Sequence, residues 1–257
     1  MTIVYLSPHL DDAVFSCGGI IHEQVRNGEQ VEVWTFATMD AGFPVISPYA
    51  QSLHARWGDV ENPMRLRREE DKKALTLLGC KWLHLDFPDC IYRLDRASGT
   101  PLIKTDQDLF SPQNEIDPVL VNNLIQILLD ELTIRSLRAS EMKRNPERVD
   151  IIAPLAVGNH IDHRLVRFAA EKLGFPIFYF ADFPYAAEDP NVIEASLPPK
   201  TSPERIKVTA RGLSDWQDAI ACYRSQISSF WDSIEEMKKA VLEYAALPFA
   251  CTLWKKL

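Results

Sequence analysis

Two short segments of this chain hold the residue types from which a hydrolytic metal centre can be built. Ser7-Pro8-His9-Leu10-Asp11-Asp12 sets one imidazole and two adjacent carboxylates directly after an apolar run, Ile3 to Leu6. Gly158-Asn159-His160-Ile161-Asp162-His163 sets two imidazoles and a carboxylate after a second apolar run, Val149 to Leu155. Three of the six histidines lie in these two segments, a concentration that decides against chance scatter. Adjacent carboxylates repel, and placing both beside a histidine at the end of a buried strand costs stability unless a cation or strong donors offset it. A metal is the natural compensator.

Catalytic zinc takes three protein ligands of nitrogen or oxygen type and keeps a fourth position open. His9, Asp12 and His163 would make that set, with Zn²⁺ the first expectation and another divalent ion the second. Such a site makes water acidic near neutral pH and polarises a carbonyl. Asp11 would then accept the proton of the attacking water and pass it to a leaving amine. His160, three residues before His163, would point across the same cavity as a charged imidazolium that stabilises an oxyanion. Asp162 would set its orientation and protonation state. Each segment alone also reads as helix capping, with carboxylates accepting first-turn N–H groups; it is their joint occurrence after two strands that favours the metal.

The surrounding pattern is one of alternating strands and helices. Ile3 to Leu6, Val31 to Thr38, Lys81 to Asp86, Val149 to Leu155 and Pro176 to Ala181 read as strands. Helical periodicity runs from Asp12 toward Gly28, from Asn62 to Leu78, from Asp117 to Leu137 and from Asp162 to Leu173. The tail adds helical stretches over Leu213 to Ile227 and Ile234 to Ala245, then an apolar segment, Leu247 to Leu253. This order predicts an α/β fold: one mostly parallel sheet with helices on both faces, in a single domain over residues 1–257, with ligands at the carboxyl ends of the strands. Two long connections, 39–61 and 87–116, read as walls of a substrate site.

Composition narrows the functional classes. With 257 residues and 46% hydrophobic content the chain can bury a full core, and a net charge of −8 lacks the positive field a nucleic acid requires. The basic run Arg65-Leu66-Arg67-Arg68 is followed at once by Glu69, Glu70 and Asp71, as on a solvated helix face. The five cysteines are scattered and never spaced as CxxC, which suits a reducing cytoplasm. No apolar run reaches the roughly 18 residues of a membrane span. His22, His54 and His84 read as structural, with His54 alone placed to reach a pocket; Gly18-Gly19 lacks the spacing of a dinucleotide fingerprint. The aromatic cluster Phe178-Tyr179-Phe180 through Phe183-Pro184-Tyr185 reads mostly as core, with Tyr185, beyond the strand end, able to line a pocket instead.

The paired motifs resemble the PIG-L/LmbE-like family of zinc-dependent N-deacetylases. That family's first motif reads His-Pro-Asp-Asp-Glu, and this chain has Leu10 for the proline and Ala13 for the glutamate, neither a ligand position. Arg67-Arg68-Glu69-Glu70 with Ala74 and Leu78-Gly79 is similar to the family's helix, which implies Arg67 as a substrate-contacting arginine. Phe87-Pro88-Asp89 resembles its strand-end motif and implies Asp89 as a carboxylate for sugar hydroxyls, with Asp86 the alternative. Tyr223-x-Ser225-Gln226 resembles a late helix motif. The resemblance implies a Rossmann-like single domain that hydrolyses an acetamide on an N-acetylglucosamine-type or other small sugar-like amide; subunit association stays open. A metal-dependent phosphoesterase and a non-catalytic carbohydrate-binding protein on the same fold are the competing classes.

Overall fold

In the computed structural model, which describes residues 1–40, 42, 46–58, 61–112, 115–141, 148–189 and 191–257, the elements follow in chain order. They are β1 (Thr2–Ser7), α1 (Asp12–Arg26), β2 (Gln30–Ala37), α2 (Pro48–Arg56), α3 (Pro63–Leu78), β3 (Lys81–Phe87), α4 (Asp106–Leu109), α5 (Pro118–Glu141), β4 (Val149–Pro154) and α6 (Ile161–Glu171). Then come β5 (Ile177–Phe180), α7 (Tyr185–Glu188), α8 (Asn191–Ser196), β6 (Thr201–Arg205), α9 (Ala210–Ile220), α10 (Arg224–Phe230), α11 (Ile234–Ala245) and β7 (Thr252–Lys256). A single-turn helix, Cys90–Tyr92, follows β3.

The strands form one sheet in the order β3-β2-β1-β4-β5-β7-β6. The first five are parallel, and β7 and β6 are added antiparallel. β1 is buried over its whole length, and β2 and β4 are buried beyond their first residue, which is why they read as continuous apolar runs rather than alternating ones. From β1 the chain moves outward through β2 to β3, then returns to place β4 on the other side of β1 and β5 beyond it. Helices α1, α3 and α9 pack on one another, and α5 packs on α6; the right-handed crossover that parallel strands favour places the two sets on opposite faces. The strand order reverses between β1 and β4, and the loops leaving these two strands open a crevice there.

Local chemistry fixes the helices that flank the crevice. Asn62 caps α3 by accepting from the Arg65 N–H at 3.0 Å, Pro63 occupies its first turn, and Gly79 closes it with φ of 75°. Gly18 and Gly19 let α9 lie against α1: a Cβ on Gly18 would stand 2.3 Å from Trp216 Cδ1. The Trp216 Nε1–H donates to the carbonyls of Val14 and Phe15 at 2.8 and 3.1 Å, so this glycine pair is a packing device.

The structure departs from the sequence expectation in the tail and in the loops. The stretch read as one helix over Leu213 to Ile227 is two, α9 and α10, separated where Tyr223 turns inward to donate to Asp71 Oδ1 at 2.7 Å. Ser225 bonds the Glu70 carboxylate through its N–H and hydroxyl. The Tyr223-x-Ser225 motif therefore clamps α10 onto α3. Strand β6, TSPER, carries Pro203 and no apolar run because it is a solvated edge. The first long connection contains α2 and the second contains the Cys90–Tyr92 turn and α4; residues 41, 43–45, 59–60 and 113–114 of those connections lie outside the described residues. Leu53, Trp57, Ile91, Tyr92 and Ile103 from these connections bury a small apolar cluster against Leu10 and Ile161 of the two motif loops.

Candidate active site

The loop after β1 is shaped by Ser7, whose hydroxyl donates to the His9 carbonyl at 2.7 Å and accepts from the Ala13 N–H at 3.0 Å. This turns His9 to Asp12 over the start of α1. The loop after β4 uses left-handed backbone at Ala156, Gly158 and Asn159 to deliver His160 to the N-cap of α6. Both loops meet in the crevice, with the His9 and His163 ring centroids 5.4 Å apart and those of His9 and His160 4.8 Å apart.

Hydrogen bonding assigns the ring protons. His9 Nε2 stands 3.2 Å from Asp162 Oδ2 and His163 Nδ1 2.6 Å from Asp182 Oδ1. A carboxylate only accepts, so each of these outer nitrogens carries hydrogen; the opposite nitrogen faces inward to the Asp12 carboxylate, where it too carries hydrogen until a cation displaces it. The inward atoms, His9 Nδ1 and His163 Nε2, lie 3.0 and 3.3 Å from the same oxygen, Asp12 Oδ2. Ligands about 2.0–2.1 Å from a tetrahedral zinc are separated by about 3.3 Å, so Asp12 Oδ2 stands at coordination-shell spacing from both inward ring nitrogens. His160 also has ring nitrogens within 4.8 Å of those of His9 and His163. Its Nδ1, however, accepts the Asp162 N–H at 3.2 Å, which leaves hydrogen on Nε2 and makes the ring a donor. The donor set therefore fits a divalent cation at His9, Asp12 and His163.

The electrostatics follow the same division. Burial works against a charged His9, yet Asp12 and then Asp162 raise it well above the ordinary imidazole range; His163 is raised to about 9 against burial by Asp12 and Asp182. Despite burial, His163 and His9 hold the Asp12 carboxyl well below its usual range. Burial and the adjacent Asp12 push Asp11 up to about 7 against the pull of Arg67. Burial and the two neighbouring imidazoles hold His160 well below its usual value. The expectation of a charged imidazolium at His160 is thus corrected: the ring is a neutral Nε2–H donor. Asp162 also differs from expectation. Its carboxylate is taken by Arg93, by the Cys90 N–H at 3.1 Å and by His9, and only its backbone N–H meets His160.

A cavity of about 370 Å³ opens over these groups, lined among others by His9, Asp11, Asp12, Arg67, Asp89, His160 and Tyr185. Arg67 is buried, stacks on Trp57 at 4.6 Å, and reaches Asp11 Oδ2 at 3.5 Å and Asp89 Oδ2 at 3.7 Å. Asp89 is anchored by the Ile91 N–H at 3.2 Å. The adjacent Arg68 is spent on the Thr38 carbonyl and Asp40, and the alternative carboxylate, Asp86, is exposed. Tyr49, Trp57 and Phe110 from the two long connections form apolar wall. His54 is buried against Trp57 and bonds the Tyr92 hydroxyl at 2.7 Å, His22 pairs with Asp215 and His84 with Asp71. Sequence reasoning missed two residues. Asp182 follows the β5 run, and the strand-end rule that found the other loops could have found it; Arg93 carried no signal of spacing or context.

A family model described as PIG-L: GlcNAc-PI de-N-acetylase matches residues 4–173. The 2'-N-acetylparomamine deacetylase of Niallia circulans is 26% identical over 200 residues, covering 71% of this chain and 66% of that protein. The protein of that name from Streptomyces fradiae is 26% identical over 188 residues, covering 71% and 57%. The chain thus spans less than two thirds of the length of these curated relatives. A solved structure described as the zinc inhibited form of a teicoplanin deacetylase is 27% identical with a TM-score of 0.76, covering 99% of this chain and 97% of that one.

Proposed function

This chain belongs to the PIG-L family of GlcNAc-PI de-N-acetylases, and from that premise we propose that it is a metal-dependent N-deacetylase that hydrolyses an acetamide on a small, sugar-like amine. The observation that carries the reading is the convergence of His9 Nδ1, His163 Nε2 and Asp12 Oδ2, with each ring's outer N–H tied to its own buried carboxylate. Zn²⁺ suits this donor set, and another divalent ion is the alternative. Bound there, the cation supplies Lewis acidity, polarising the amide carbonyl and making water acidic near neutral pH.

The chain's own residues then divide the work. Asp11 lines the cavity with a carboxyl near 7, so it is suited to take the proton of the attacking water. As the C–N bond breaks, Asp11 returns that proton to the leaving amine, and acetate and the free amine are the products. His160 donates its Nε2–H to the carbonyl oxygen as charge gathers on it, worth on the order of 3–4 kcal/mol for an oxyanion donor. Arg67 and Asp89, paired across the cavity floor, hold hydroxyl groups of the substrate. Activity on N-acetylated sugars in the curated relatives supports the substrate class. The free cysteines Cys17, Cys80, Cys90, Cys222 and Cys251 support a reducing compartment, and among the described residues no helix is long and apolar enough to cross a membrane.

The test is acetate release from a panel of N-acetylated amino sugars by protein titrated with one equivalent of metal; excess is avoided because one relative is described as zinc inhibited. D11N is expected to keep its metal and lose about 10²- to 10⁴-fold in turnover. Full turnover by D11N refutes the role of Asp11, and release of phosphate rather than acetate from matched esters favours a phosphoesterase.

A further inference from the structure

The structure assigns Arg93 as a positioning residue that fixes His9 for metal binding by holding the Asp162 carboxylate in one orientation. The inference rests on the metal reading above. Arg93 follows the Cys90–Tyr92 turn; its side chain is 9% exposed and pairs with Asp162 Oδ1, while the Asp162 side chain is fully buried. The other oxygen, Oδ2, accepts from the Cys90 N–H at 3.1 Å and faces His9 Nε2 at 3.2 Å. With Oδ1 held by the guanidinium and Oδ2 by a backbone N–H, the carboxylate cannot turn without losing a charge-assisted bond.

That orientation aims an acceptor at His9 Nε2 and keeps hydrogen on it, so that Nδ1, which faces Asp12 Oδ2, is the nitrogen left to give up its proton to a metal. His163 is held differently. Its carboxylate partner Asp182 has its second oxygen fixed by the Val157 N–H at 2.9 Å, with no guanidinium involved among the described residues. The two rings of the proposed shell are therefore oriented independently, one from the loop after β5 and one from the second long connection through Arg93. Arg93 is not among the described residues that line the cavity, so its influence on the reaction runs through His9.

The experiment measures the Zn²⁺ dissociation constant by chelator competition on purified full-length chains, together with the visible spectrum of each protein loaded with Co²⁺. R93M is expected to bind Zn²⁺ about 10- to 100-fold more weakly than the wild type, the usual consequence of losing an outer partner of a ligand, with a changed Co²⁺ spectrum. R93K keeps one charged donor and is expected to recover part of the affinity. R135M breaks a distant pair, Arg135 with Glu32, and is expected to lower the melting temperature while leaving metal affinity and spectrum unchanged. Wild-type affinity and spectrum in R93M overturn the inference; if R93M does not fold, R93Q is held to the same criterion. A wild-type chain that takes up no Zn²⁺ overturns the metal reading instead.

Discussion

Loading the metal-free protein with Zn²⁺ should drive protons off it, and their number follows from the site. His9 and His163 are both raised, His163 to about 9, so at pH 7 each ring carries two hydrogens. Ligation needs one lone pair from each, so one proton leaves each ring. Asp11, at about 7, holds about half a proton at that pH, and a neighbouring dication draws it out. The sum is a release of about 2 to 2.5 protons per metal at pH 7. Each displaced proton makes apparent affinity climb about tenfold per pH unit. Affinity should therefore rise steeply from the ordinary imidazole range and flatten beyond about 9. The sign for stability is opposite. A raised imidazole stabilises the metal-free fold fully below its unfolded pKa, and that contribution is lost as pH rises through about 9. Calorimetric titration of Zn²⁺ at pH 7 in buffers of different ionisation enthalpy counts the protons, and H163A should release about one fewer. Release well below one proton, or affinity flat from pH 6 to 8, would refute the assignment of His9 and His163 as ligands.

Two further outcomes test the supports of the site. In D182N one carboxylate oxygen becomes a donor, so the side chain can no longer accept from both His163 Nδ1 and the Val157 N–H; zinc affinity should fall about 10- to 100-fold, and chelator competition giving the wild-type constant would show that Asp182 does not hold the His163 tautomer. G18A drives a methyl to 2.3 Å from the buried Trp216 ring and should cost about 1–3 kcal/mol, about 2–4 °C of melting temperature per kcal/mol at this chain length, with one zinc still bound per chain; an unchanged melting temperature would show that α9 can back away from α1.

The parts of the site legible in the sequence were those whose position along a strand reports their position in space. His9, Asp11 and Asp12 follow β1, and His160, Asp162 and His163 follow β4, and because these strands are neighbours at the order reversal the two loops have to meet. Choosing between Arg67 and Arg68, or Asp89 and Asp86, was beyond the sequence. Adjacent helix or loop residues differ in facing, and facing is settled by long-range packing such as Trp57 against Arg67. Strands β6 and β7 were missed for a related reason: an edge strand such as Thr201–Arg205 carries a solvated pattern and gains its ladder only from its partner. The charge on His160 was misjudged because sequence shows a histidine beside an aspartate, whereas the folded ring sits between two other imidazoles and its neighbour's carboxylate looks away.

The charge balance of the crevice explains why these separate facts belong together. Asp11, Asp89, Asp162 and Asp182 are buried and Asp12 is 13% exposed, so five carboxylates share a small volume with two guanidiniums, Arg67 and Arg93. Fully ionised, they would leave a formal charge of −3, which a buried region does not hold without compensation. Without metal, protons on His9 and His163 supply that compensation, which is why both imidazoles are raised, while burial and Asp12 push Asp11 up to about 7 against the pull of Arg67 and the two rings. A dication supplies it with the rings neutral and frees Asp11 to ionise. On the proposed roles, the same excess of carboxylates would bind the metal and arm the base, and trimming any one of them by charge alone would shift both.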